Sequence, residues 1–298
     1  MERVILGELQ TSQTIATRLP PQAYFVTSAL FHYLGPAFAV LLFGHVAPLG
    51  VAWLRIASAA IIFAGWRRPW RLFIEHGWSQ RGLLLAFGAV LGVMNGCFYL
   101  AIERLPLGTV GAIEFGGSIL LAALGVRSRR NALSLGFAVA GVALLTDARL
   151  AGEPLGYLFA FANCGLFMLY VVLGHRIARD GGSAGIDRLG AAMLVALLII
   201  SPAGLTSAAR AFTHLVYLLA GIGVGVCSSV IPYICDQLAM ARLPRATFAL
   251  MLALLPACAT LIGIVVLRQI PTSGELSGVV LVVLGVAVHQ ERETTHGR

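Results

Sequence analysis

The sequence predicts an all-α integral membrane protein of ten transmembrane helices, arranged as two inverted five-helix repeats. Three observations predict it. Apolar stretches near the length needed to cross a bilayer, about 20 residues, recur along the whole chain. They lie in a composition that is 58% hydrophobic and 11% charged, where soluble domains carry roughly 25% charged residues. The arginines concentrate in alternate connecting segments, and a stretch of the first half reappears in the second.

The apolar segments are 23–44, 48–66, 82–103, 106–125, 131–146, 153–174, 186–205, 214–240, 244–267 and 272–289. The fifth is short for a span. They divide the chain into a tail over 1–22, a first five-helix block over 23–146, a second over 153–289 and a tail over 290–298, with almost nothing left for a soluble domain. Residues 1–22 are polar and lack a small-residue cleavage site after an apolar core. They read as a cytoplasmic tail leading into a first helix that also serves as the insertion signal. Cys97, Cys164, Cys227, Cys235 and Cys258 all fall inside apolar segments. An odd count without spaced pairs outside the membrane argues against a disulfide framework or a metal site.

The net charge of +8 comes entirely from arginine, since the chain contains no lysine. With a cytoplasmic N-terminus, the inner segments hold all of the arginines except five. Arg104, Arg149, Arg210 and Arg268 fall outside, and Arg55 lies within the second helix. That is the positive-inside bias at every loop. It places both termini in the cytoplasm. The charge therefore sets topology and does not mark a nucleic-acid partner.

"CFYLAIERLPLGT" (97–109) and "CDQLAMARLPRAT" (235–247) share Cys, Leu, Ala, Arg, Leu, Pro and Thr at matching positions. Both link the third and fourth helices of a five-helix block. An odd number of helices per block makes the second copy enter the membrane upside down, the arrangement of carriers that expose a central site alternately to each side. Gly88, Gly92 and Gly96, and Gly221 with Gly225, form the small-residue steps that let helices approach closely in lipid. Pro232 removes one helical hydrogen bond and frees the carbonyl of Ser228, which then needs another partner. Pro232 and Pro256 are the candidate gate or kink positions, with Pro36 similar.

Glu114 stands in "GAIEFGGSIL" (111–120), where an ionised carboxylate is costly unless something offsets it. Arg55 lies at the same depth in the second helix, each roughly 10–12 Å below the outer interface at 1.5 Å per residue. Two roles fit the pair. One is a permanent bridge that fixes helix orientation. The other is a carboxylate for a substrate ammonium or a coupling proton, with the arginine near the substrate carboxylate. Asn95 and Tyr99 share a face of the third helix, Asn163 and Tyr170 a face of the sixth, and Tyr233 and Asp236 a face just after Pro232. Short polar groups among apolar walls suit a small zwitterion. His32 and Tyr33 add polar rings in the first helix.

The chain resembles the drug/metabolite transporter superfamily, EamA-type family, and most closely the bacterial threonine/homoserine exporters. The resemblance is carried by "WLRIASAAIIF", "RRPWR", "GVMNGCFYLAIERLPLGTVGAIEFGG", "LYVVLGHRIA" and "IPYICDQLAMARLPRATFALM". It implies a two-times-five inverted fold, no covalent cofactor, and proton-driven efflux of amino acids or related metabolites. Exporters of drugs or aromatic amino acids fit the same fold. The chain departs from the family where a Gly-Glu pair commonly ends the ninth helix, here Arg268-Gln269, and where Glu precedes the ninth-helix proline, here Leu255. It also has Ser118 where Gly-Pro is frequent in the fourth helix. These departures leave Glu114 and Asp236 as the main acidic candidates.

No catalytic residue is expected, because the segments hold no metal pattern, no GxSxG elbow and no paired intramembrane aspartates. A channel would favour rings of polar residues. The partners expected are the lipid bilayer, a small-molecule substrate and protons, with a homodimer left open.

Overall fold

Proline marks where several helices begin, since its fixed φ and missing N–H suit a first helical turn. The computed structural model describes residues 20–75, 77–123, 129–147, 153–177, 182–240 and 254–288. Helix α1 is Pro21–Leu42 and α2 is Pro48–Arg67. After a short helix Arg71–Glu75 come α3, Trp78–Ile102, α4, Leu107–Ala123, α5, Arg129–Asp147, and α6, Pro154–Ile177. Helix α7 is Gly182–Ser207, followed by the short Ala209–Thr213. Helix α8 runs without a break through Leu215–Gly225, a π-helical turn Val226–Val230, and Ile231–Met240. Helices α9, Leu254–Leu267, and α10, Ser273–Val288, complete the order.

Among the described residues there is no strand, and six helices are long and apolar enough to cross a bilayer. They are Ala23–Leu42, Pro48–Arg67, Trp78–Ile102, Pro154–Gly174, Gly185–Ser207 and Leu215–Cys235. Ala132–Leu144, Leu255–Leu267 and Ser273–Gly285 are shorter apolar helices. The second RLP link (242–244), residues 1–19 and 289–298, and the part of the expected span 244–267 before Leu254 lie outside the described residues.

The principal pairings are α2 with α7, α3 with α6 and α7, α8 with α1 and α2, α4 with α6 and α9, α9 with α1, and α5 with α10. Small residues set the closest of these. A Cβ at Gly88 would stand 2.7 Å from the Ala192 carbonyl of α7, and one at Gly225 2.7 Å from the Arg55 carbonyl of α2. Arg67 ties the end of α2 to α7 with a two-pronged pair to Asp187, at 2.6 and 3.1 Å. At the head of α10, Thr272 and Glu275 form a capping box: the carboxylate accepts from Thr272 N–H at 2.8 Å, and Thr272 Oγ1 accepts from Glu275 N–H at 3.2 Å.

Two helices stop on an arginine in the left-handed region, α2 at Arg68 (φ 49°) and α9 at Arg268 (φ 53°). Each N–H bonds the carbonyl four residues back, Ala64 and Ile264, the usual geometry of a glycine stop. An L residue with a Cβ costs roughly 1–2 kcal/mol there, against about 0.5–1 kcal/mol of extra chain entropy lost by glycine. Arg268→Gly is therefore expected to raise the thermal unfolding midpoint of the detergent-solubilised protein. A lower midpoint would contradict the strain argument.

Candidate functional site

Pro232 has no N–H for the Ser228 carbonyl, and α8 answers by widening into the π turn just before it, where Ile231 N–H reaches back to Val226. The orphaned carbonyl meets Arg55. Nη2 of Arg55 donates to Ser228 O at 3.0 Å, and Nε donates to Ser229 Oγ at 2.9 Å. Two glycines make this approach feasible: Gly225 lets α2 and α8 touch, and a Cβ at Gly35 of α1 would fall 1.9 Å from Ser228 Oγ. Ser28 of α1 donates to Pro232 O at 3.3 Å. Arg55 is 5% exposed, and its guanidinium carbon stands 5.7 Å from the Tyr99 ring centroid.

Glu114 is held elsewhere. It is 5% exposed on α4, and its Oε2 accepts from Asn163 Nδ2 of α6 at 3.0 Å, with Asn163 itself buried. The carboxylate and the guanidinium thus each have neutral partners, and among the described residues they form no ion pair with each other. The pairs seen are Arg67 with Asp187 and Arg104 with Glu103.

Three hydroxyls beside these charges, Tyr33, Tyr99 and Ser228, are buried and make no hydrogen bond of ordinary geometry among the described residues, those of Tyr99 and Ser228 lying next to each other beside Arg55. Such a group costs roughly 1–3 kcal/mol while it stays unpaired. The Tyr33 hydroxyl rests against the bare backbone of Gly111, whose Cβ would be 2.9 Å away, one helical turn before Glu114. The sequence offered little reason to rank Tyr33, Ser228 or Ser229. The one usable sign was the Ser-Ser pair three and four residues before Pro232.

The other candidates divide. Asn95 is buried, but its amide donates to Leu91 O of its own helix at 2.8 Å, so that group is spent locally. Tyr170 stacks on Phe87 and Phe167, with centroids 5.0 and 5.9 Å away, in an aromatic cluster between α3 and α6. Tyr233 is buried in the main core. The Asp236 side chain lies outside the described residues, as does Leu252, the carbonyl Pro256 would free. Pro256 is buried in α9 and its own carbonyl accepts from Thr260 Oγ1 at 3.0 Å.

Comparison with known proteins identifies the family. The profile of the EamA-like transporter family matches residues 154–289. The threonine/homoserine exporter RhtA of Escherichia coli K12 is 31% identical over 249 residues, covering 81% of this chain and 81% of that one. The chain belongs to the EamA-like transporter family. RhtA of Salmonella typhimurium LT2 is likewise 31% identical, over 241 residues and 79% of each chain. A crystal structure at 21% identity covers 90% of this chain and 95% of its own, with a TM-score of 0.56, and so shares the fold. Proteins of this family are transporters, and this EamA-like transporter is a multi-pass membrane protein.

This EamA-like transporter also carries a cleft of about 270 Å³ where the 103–106 link meets the end of α9 and the start of α10. Thr109, Thr260, Gln269 and Glu275 contribute its polar wall. Gln269 uses Oε1 to accept from Leu107 N–H at 3.1 Å and so caps α4.

Proposed function

We propose that the protein exports small amino acids of the threonine/homoserine kind across the bacterial inner membrane, by alternating access and driven by protons. One observation carries the reading: two buried opposite charges, Arg55 and Glu114, are held apart on neutral partners, beside three unpaired hydroxyls. That arrangement is complementary to a zwitterion. The substrate carboxylate takes the Arg55 guanidinium with Ser229 and Tyr99, and its ammonium takes Glu114 with the Tyr33 hydroxyl and Asn163. Threonine and homoserine, the amino acids for which the similar exporters are named, fit that complementarity.

The helix pairings support the inverted-repeat architecture. Adding five to each helix number in the first half carries the set onto itself: α2–α7, α4–α9 and α5–α10 map to themselves, α3–α6 answers α8–α1, α3–α7 answers α8–α2, and α4–α6 answers α9–α1. The arginine distribution supports termini in the cytoplasm. In the working cycle, a substrate carboxylate competes with Ser228 O for Arg55. Release of that carbonyl changes the π turn of α8, which packs on α1 and α2, and so links occupancy to helix bending. Glu114 exchanges its proton for the substrate ammonium.

Counterflow in proteoliposomes tests the reading. Labelled threonine or homoserine should accumulate against unlabelled amino acid and respond to an imposed pH gradient. Gradient-independent leak, or no flux of either amino acid, would defeat it. A second reading, export of aromatic amino acids or flat drugs, is favoured by the Phe87–Tyr170–Phe167 stack beside Asn163. Competition of threonine counterflow by phenylalanine separates the two.

Tyr33→Phe follows from the same geometry. Deleting an unpaired buried hydroxyl removes a desolvation penalty, so the unfolding midpoint should hold or rise. The ammonium loses an acceptor, so KM for export should rise about tenfold, the equivalent of one hydrogen bond to a charged group. An unchanged KM would take Tyr33 out of the site.

A further inference from the structure

The segment between α2 and α3 carries Trp66, Trp70 and Trp78, three of the chain's four tryptophans, together with Arg67, Arg68, Arg71 and Arg81. It is built, not loose. Pro69 is buried beside Gly190 of α7, Leu72 and Phe73 of the short helix pack on the core, and Arg81 Nη2 donates to Ile74 O at 3.2 Å to cap that helix. The opposite face is open: Trp66, Trp70, Ile74 and Trp78 are 56%, 44%, 75% and 86% exposed.

Two of the four arginines are engaged, Arg67 by Asp187 and Arg81 by the helix end. Arg68 and Arg71 are exposed and, among the described residues, form no ion pair, not even with Glu75 one turn on. The Trp66 and Trp78 rings carry the two engaged arginines, with Arg67 5.5 Å and Arg81 5.3 Å from their centroids. We infer that Arg68 and Arg71, in the same tryptophan-rich turn, bind the headgroup of an anionic phospholipid at this end of α2.

Three physical points carry it. Helix α2 has 20 residues, about the thickness of the hydrocarbon core, so the arginines just past its end stand at headgroup depth. Indole rings with an apolar body and one N–H settle at that depth, and the guanidinium fork matches a phosphodiester in two-pronged fashion. Finally, Arg68 occupies a left-handed stop where glycine is unstrained. An arginine held in that strained conformation with its guanidinium free is consistent with use of the guanidinium. The inference does not depend on what the protein transports.

The test reads tryptophan fluorescence in nanodiscs of phosphatidylcholine, into which acyl-brominated phosphatidylglycerol or acyl-brominated phosphatidylcholine is titrated at equal mole fraction. The wild type should be quenched preferentially by the glycerol lipid. R68Q/R71Q should lose roughly 30-fold of that preference, whereas R210Q, an exposed arginine beyond α7, should keep it. Equal quenching by the two lipids in the wild type overturns the inference, as does an equal loss in R210Q. Displacement of the lipid by added inorganic phosphate also overturns it, because the site would then take the free anion. If R68Q/R71Q does not fold, the wild-type and R210Q titrations still decide.

Discussion

Glu114→Gln is expected to fold at near wild-type yield and to lose gradient-driven export by about two to three orders of magnitude. Folding should survive because the carboxylate is not the mate of Arg55. Its partner is Asn163 Nδ2 at 3.0 Å, and a glutamine Oε1 of the same reach can accept that bond. Export should fail for two reasons that add. The amide cannot carry a proton, and it offers no charge to an ammonium in a buried site. Losing one member of a buried charge pair costs roughly 2–5 kcal/mol, which is ~30-fold to several thousand-fold in a binding constant. A permanent structural bridge predicts the reverse pattern: the stranded arginine lowers folded yield, and Arg55→Gln restores it. Monodisperse yield after detergent extraction, read beside export from vesicles, separates the outcomes. Full export by Glu114→Gln would remove the carboxylate from the mechanism.

Much of the fold is legible because bilayer crossing constrains it so tightly. Length and apolarity define a span, and prolines at 21, 48 and 154 start helices where their missing N–H costs nothing. The chemistry at Pro232 is legible for the same local reason. A proline inside a buried helix leaves one carbonyl at a known position, Ser228, and that carbonyl must find a donor. The donor is Arg55. Which donor would arrive was not readable. Depth and charge put Arg55 and Glu114 at one level, but two helices at equal depth meet only if their rotations agree. Rotation is set by packing, here by Gly225 against α2 and Gly35 against the π turn. Asn95 shows the same limit: spacing sets its face, yet an asparagine can return its amide to its own helix. The unpaired hydroxyl of Tyr33 has no sequence marker at all, since an interior tyrosine reads as core until its surroundings are known.

Arg55 and Pro232 should be strongly coupled, and the sign of the coupling follows from one carbonyl. In the wild type, Ser228 O is served by Arg55 Nη2 because residue 232 has no N–H. Arg55→Gln removes the donor and leaves a buried backbone acceptor unsatisfied, at a cost of roughly 1–3 kcal/mol. Its unfolding midpoint should fall. Pro232→Ala restores an N–H four residues on, able to close the ordinary helical bond to Ser228, so that variant alone should be as stable as the wild type or more so. In the double variant the new N–H takes over the carbonyl, and the midpoint should recover most of what Arg55→Gln lost. The interaction free energy of the cycle should then lie near 1–3 kcal/mol, within the roughly 0.5–3 kcal/mol found for residues sharing one network. Transport should not follow stability. Arg55→Gln stays inactive in both backgrounds because the substrate carboxylate has lost its partner. Pro232→Ala with Arg55 intact should export slowly, since a helix that holds its own carbonyl no longer needs the arginine and no longer responds when a substrate takes it. Thermal unfolding of the four proteins beside vesicle export measures both halves. A coupling indistinguishable from zero would mean that Arg55 and Ser228 O are not exclusive partners, and the link from substrate to the π turn would fall with it.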